Sequence, residues 1–230
     1  MQTKGSWTHV GVLVTVLSGA AYPAVGQSSI DTGAWPSYGG TNWSQKYSPL
    51  DQIDAANFDD LSIAWTWESE DLALIESLQR RYLPPLDANG LKATPLVVNG
   101  VMYLSTGLAQ VVALDPVTGE TLWIYNPQAY TTGGNASIVG PWQTRGLAYW
   151  TDGDADERLL LGTHDGFLIA VNARTGRPIN SFGVDGKSDL HTAVPRATRG
   201  NLPLFSNEGH TVSPNSPPVV VRDTVISGAA

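Results

Sequence analysis

Two stretches of the sequence carry side chains of the kind that do chemistry at close spacing. Asp152-Gly-Asp154-Ala-Asp156-Glu157 sets carboxylates at alternate positions, as a calcium loop begins, because a hard cation takes several oxygen ligands from one turn. The run lacks the downstream glycine and glutamate that complete such a loop, so it reads as the solvated tip of a hairpin. His164-Asp165-Gly166 puts an imidazole beside a carboxylate, but Asp-Gly is first a hairpin signal, and no nucleophile with its base can be named around it. The chain has no cysteine, which excludes disulfides, thiolate metal sites and thiol nucleophiles. Local spacing alone yields no catalytic group.

The elements that would position distant residues are legible. With 42% hydrophobic and 15% charged residues, the 230-residue chain suits a packed globular protein. Eight Trp, eight Tyr, 24 Gly and 15 Pro favour short strands joined by tight turns, an all-β architecture. A net charge of −8 leaves no basic surface for phosphate backbones, so nucleic acid is not an expected partner. The N-terminus has Lys4, an apolar run from Val10 to Leu17, and small residues up to Gly26. That pattern predicts a secretory signal peptide over 1–26 and an exported, periplasmic remainder over 27–230.

Trp35 to Ile53 is rich in turn formers and aromatics and should wrap a surface, and Leu61-Ser-Ile63-Ala-Trp65-Thr-Trp67 alternates like a strand. Ser69 is placed to cap a short helix with Leu72, Ile75 and Leu78 along one face. From Thr94 an internal repeat sets in. Thr94 to Ser105 reads as strand, Asn99-Gly100 hairpin, strand, and the same pattern returns at Pro217 to Ser227. Ala113-Leu-Asp115 to Trp123 pairs with Ala170-Val-Asn172 to Asn180, with Gly119 and Gly176 57 residues apart. Solenoid periods are typically ~20–47 residues, so this period fits four-stranded propeller blades better. About three blades are expected, each stable only when neighbours cover its faces.

Trp35 to Gly40, Lys46 to Leu50, Ala93 to Ser105, Ala113 to Trp123, Arg145-Gly-Leu-Ala-Tyr-Trp150 and Thr163 to Gly176 resemble, in order and spacing, the pyrroloquinoline-quinone (PQQ)-dependent alcohol and glucose dehydrogenases. The resemblance implies a partial β-propeller, about three of eight four-stranded blades locked by the repeat Ala-x-Asp-x-x-x-Gly-x-x-x-Trp. Residues 113–123 match that repeat in full; the second copy has Asn172 for Asp and Asn180 for Trp, with Phe182 the candidate substitute aromatic. Looser docking is expected there.

The cofactor implied is a planar ortho-quinone with three carboxylates, working beside Ca²⁺. Arg145 matches the family's cofactor-binding arginine, and its guanidinium can pair a carboxylate through two bonds without losing charge. Asn215-Ser216 stands where the family has a cofactor-bonding threonine, and Lys92 stands where its alcohol dehydrogenases carry a glutamate; an ammonium there could bind a cofactor carboxylate directly. The vicinal cysteine pair of methanol and ethanol dehydrogenases would fall at Val139-Gly140, which points away from that branch and towards the glucose enzymes or uncharacterised branches. The calcium ligands and catalytic base would lie beyond Ala230, so no catalytic or metal residue is assigned and the chain alone should be inactive. The function implied is oxidation of an alcohol, polyol or sugar, with a quinone or cytochrome c as acceptor. The alternative is a non-catalytic propeller scaffold like the outer-membrane assembly lipoproteins, which would need a lipidated cysteine that the chain lacks.

Overall fold

The structure is a computed structural model that describes residues 33–41, 43–79, 91–131, 144–193, 214 and 216–228. The leader reading over 1–26, the Val139-Gly140 position and Asn215 lie outside the described residues. The described chain is antiparallel β-structure in three sheets. The first holds β1 (Leu96–Val98), β2 (Val101–Ser105), β3 (Val111–Leu114) and β4 (Thr121–Tyr125) in sequence order. The second repeats the meander with β5 (Ala148–Thr151), β6 (Glu157–Gly162), β7 (Phe167–Asn172) and β8 (Lys187–Asp189), and the third is the hairpin β9 (Val219–Val221) with β10 (Thr224–Ile226).

Turn chemistry sets the registers. Asn99 and Gly100 both take positive φ, 51° and 76°, as a two-residue hairpin with right-handed strand twist requires, and Val98 is thereby paired with Val101. The β3–β4 turn is organised by Asp115, whose Oδ1 accepts the N–H groups of Val117 (2.7 Å) and Thr118 (3.0 Å). Asn172 does the same for Arg174 (3.1 Å) and Thr175 (3.0 Å). Asn in place of Asp therefore keeps the turn, because only the carbonyl-type oxygen is used.

The sheets stack face to face. Tyr103, Val111 and Ala113 of the first sheet meet Tyr149, Leu159 and Val171 of the second in one buried cluster. The opposite face of the second, with Leu160 and Ala170, meets Val220 and Val225 of the third. Tryptophans lock the stack. The Trp123 ring, partly buried, lies against Gly176, where an added β-carbon would fall 2.5 Å from Cε3. Trp65 lies in the same way on Gly119, 2.6 Å from such a carbon, and its Nε1 donates to the Pro116 carbonyl at 3.1 Å. Only glycine admits so close a ring. In the second repeat Phe182 packs with Leu168, Leu190 and Val225, so it does supply an aromatic between the second and third sheets.

One local expectation is corrected and another holds. Residues 61–67 form no strand: none of the described strands pairs with them, and Trp65 and Trp67 are held by side-chain bonds instead, Trp67 donating to Thr121 Oγ1 at 3.0 Å. Helix α1 (Asp71–Gln79) does form, with Ser69 Oγ accepting the Asp71 N–H at 3.2 Å. At its start Leu72 is 64% exposed while Asp71 is buried, so the helix is tied to the sheet by a carboxylate whose donors are waiting.

Candidate functional site

The first strand of each sheet starts at the same end of the stack. Thr94, just before β1, donates its N–H to the Arg145 carbonyl at 3.2 Å and forms a parallel bridge with Gly146, just before β5. Gly146 has φ +148°, and a β-carbon there would sit 3.3 Å from Pro217 Cγ and 3.4 Å from the Thr94 carbonyl oxygen. The starts of three successive sheets thus converge on one glycine. Lys92 precedes β1 by four residues, Arg145 and Ser216 precede β5 and β9 by three, and all three are exposed. The backbone next to them is what meets, through Thr94, Gly146 and Pro217; Asn215 is outside the described residues.

Two neighbours escaped the sequence reading. Tyr38 Cδ2 lies 3.8 Å from where a Gly146 β-carbon would be, and Lys46 Nζ sits 5.9 Å from the Tyr38 ring centroid. The Trp35 to Leu50 stretch stood out as a leader, but nothing in it told which sheet it would meet. Trp35 exchanges backbone bonds with Val97 at 2.8 and 3.0 Å, which lays the leader along β1. Arg145 and Lys92 thus adjoin the backbone bridge between the first two sheets, and Lys46 lies by the Tyr38 ring beside Gly146, in a chain whose net charge is −8. A ligand with several carboxylates suits that donor set.

The tempting local motifs resolve otherwise. Asp152 Oδ1 accepts the N–H groups of Asp154 (2.8 Å) and Asp156 (3.1 Å), and Asp156 pairs with Arg158, so this is the β5–β6 hairpin tip. Those backbone donors hold the Asp152 carboxyl below its ordinary pKa. The Asp165-Gly166 turn joins β6 to β7, with His191 packed on Gly166. Burial pushes the His164 imidazole below its usual pKa, against the smaller opposing pull of Asp165. Among the described residues no group of three or more His, Asp or Glu could hold a metal ion. No described helix is long and apolar enough to cross a membrane.

Stacked four-stranded meanders with tryptophan-on-glycine locks define a partial β-propeller. The family model described as the β-propeller domain of glucose/ethanol/alcohol dehydrogenase, PQQ, matches residues 35–230, and the chain belongs to that family. It is 40% identical over 195 residues to the dehydrogenase subunit of the quinone-type alcohol dehydrogenase of Gluconobacter oxydans (strain 621H), covering 77% of this chain and 21% of that one. Quinoprotein glucose dehydrogenase A of Acinetobacter calcoaceticus is 28% identical, covering 90% of this chain and 24% of its own length. Among solved structures, quinohemoprotein alcohol dehydrogenase ADHIIG from Pseudomonas putida HK5 superposes with a TM-score of 0.57 at 30% identity, covering 86% of this chain and 23% of that chain. The chain thus spans about a quarter or less of these relatives. Identity is higher to the alcohol enzyme than to the glucose enzyme, the reverse of the leaning drawn from Val139-Gly140, so the missing cysteine pair does not by itself sort the chain.

Proposed function

We propose that this chain supplies the opening blades of an exported PQQ-dependent dehydrogenase that oxidises an alcohol, polyol or sugar and passes electrons to a quinone or to cytochrome c. The observation that supports the reading is the meeting of the Thr94, Gly146 and Pro217 segments, the stretches of backbone to which Lys92, Arg145 and Ser216 belong. When bound, the ortho-quinone is the group that accepts hydride from the substrate carbon. In this reading Arg145 grips a cofactor carboxylate through its two-pronged guanidinium, Lys92 neutralises a second, and Ser216, with Asn215, hydrogen-bonds the rim of the ring system. Calcium belongs to the same reading, and none of the described residues is assigned to it. Residues 1–26 act as the cleaved export signal and 27–230 as propeller, placing the protein in the periplasm.

The test is to purify the whole gene product without cofactor, add PQQ and Ca²⁺, and follow dye reduction with primary alcohols, polyols and aldoses. Turnover dependent on both additions is expected, and none from residues 27–230 alone, which lack a residue assigned as base or metal ligand. A whole product that neither binds PQQ nor reduces dye would make the chain a scaffold. Turnover by 27–230 alone would mean that the active site has been misplaced.

A further inference from the structure

Helix α1 interrupts the repeat, yet its first residue is tied into it. Asp71 is 5% exposed, and its carboxylate accepts three hydrogen bonds: from Thr106 Oγ1 at 2.8 Å, the Leu108 N–H at 3.0 Å and Gln110 Nε2 at 2.6 Å. All three donors lie in the β2–β3 turn, which closes on itself through Thr106 N–H to the Gln110 carbonyl (3.0 Å) and Gln110 N–H to Thr106 Oγ1 (3.1 Å). The corresponding β6–β7 turn closes in the same way, Thr163 N–H to the Phe167 carbonyl (2.8 Å) and Phe167 N–H to Thr163 Oγ1 (3.3 Å). There the threonine finds a carboxylate within its own turn, Asp165 at 2.5 Å. The β2–β3 turn reads Thr106-Gly-Leu-Ala-Gln110 and has no acid. It takes one from α1.

The turn is coupled onward. The Thr106 carbonyl accepts the Thr144 hydroxyl, Thr144 is 3% exposed and adjoins Arg145, and the Arg145 carbonyl in turn accepts from Thr94. An unbroken series of buried hydrogen bonds therefore runs from α1 to the backbone that carries the site arginine. Without the Asp71 carboxylate, Leu108 N–H and Gln110 Nε2 would be buried and unpaired, and the turn would have to move to rehydrate them. We infer that Asp71 is a positioning residue: through Thr106 and Thr144 it fixes the Arg145 backbone so that the guanidinium is preset for a carboxylate of the bound cofactor. This rests on the reading above that Arg145 binds that cofactor.

The experiment uses the whole gene product without cofactor and measures PQQ affinity by quenching of tryptophan fluorescence, with the melting temperature recorded alongside. Asp71→Asn keeps one acceptor oxygen but turns an amide donor against the donor or donors that faced the other, and should weaken PQQ binding about tenfold, a coupling within the usual range for residues in one network. Should that variant fail to fold, Thr144→Val removes one hydroxyl at constant shape, and the same loss is expected with little change in melting. Thr144→Ser, which restores the hydroxyl, should recover the affinity. In an Arg145→Ala background, Thr144→Val should have no further effect, because the residue it positions is gone. Full multiplication of the two losses, or an unchanged affinity in Thr144→Val while Arg145→Ala binds poorly, overturns the inference and leaves the role of Arg145 standing. An unchanged affinity in Arg145→Ala removes the role and the inference together.

Discussion

At the scale of single residues, two tyrosines between the first and second sheets are displaced from their ordinary titration. Burial, with the negative charge of Glu157 as the next cause, pushes both Tyr103 and Tyr149 from 10 up to about 12. Arg174 pulls the other way, but it is exposed and already paired with Glu157 at 2.7 Å. The folded state thus holds these protons more tightly than the unfolded chain. Their contribution to stability is complete below pH 10 and is lost as the pH rises towards 12. The urea midpoint should therefore hold steady up to about pH 10 and fall above it. Tyr103→Phe should fall less steeply over that interval, and equal slopes for the two proteins would show that Tyr103 is not coupled to folding. That Tyr103 is a strand residue was legible from its alternation. That it would share a buried pocket with Glu157 was not, because the two belong to different repeats.

At the scale of elements, the tryptophan-on-glycine contact is what turns separate meanders into a stack. Gly100 and Gly176 make a controlled pair. Both have positive φ, 76° and 67°, but a β-carbon at Gly100 meets nothing within 4 Å, whereas one at Gly176 strikes Trp123. Gly100→Ala should cost only the backbone penalty, about 1–2 kcal/mol. Gly176→Ala adds overpacking to a similar penalty and should cost about 2–5 kcal/mol, with a red-shifted tryptophan emission as Trp123 is lifted out. Equal losses of stability in urea for the two variants would mean that the ring does not depend on this contact. The repeat Ala113 to Trp123 announced this lock in the sequence. The substitution of Asn180 for tryptophan also announced a different arrangement one sheet later, and Phe182 fills it from two residues further on, packed with Val225.

At the scale of the whole molecule, the third sheet has one face turned inward and one exposed. Val220 and Val225 face inward, while Val219, Val221 and Ile226 on the other side of the same hairpin are 57%, 52% and 49% exposed. Period-two alternation makes these one apolar face, and such a face beside a strand edge recruits further sheets. Residues 27–230 produced alone should therefore self-associate with rising concentration in sedimentation velocity. A Val219→Thr/Val221→Thr double variant should stay monomeric to higher concentration, without a matching change in circular dichroism. Indistinguishable sedimentation of the two would place the contact elsewhere.

The sequence by itself determined whatever depends on a short window or on repetition: the Asn99-Gly100 hairpin, the paired turns at Asp115 and Asn172, and the succession of sheets; Arg145, Lys92 and Ser216 were singled out by resemblance to a family, not by the period. The hairpin, turns and sheets are properties of local backbone preference and of a period, and both are written along the chain. Tertiary structure decided what depends on which distant segments meet. Residues 61–67 alternate like a strand but form none, because a strand exists only through a ladder partner and local alternation cannot supply one. Helix α1 was foreseen, capped by Ser69, but not that it docks through Asp71, whose carboxylate takes the three donors of the acid-free β2–β3 turn. The burial of that charge, and its hydrogen-bonded path to Arg145, follow from a match between segments 35 to 39 residues apart, and no residue in either segment specifies the other.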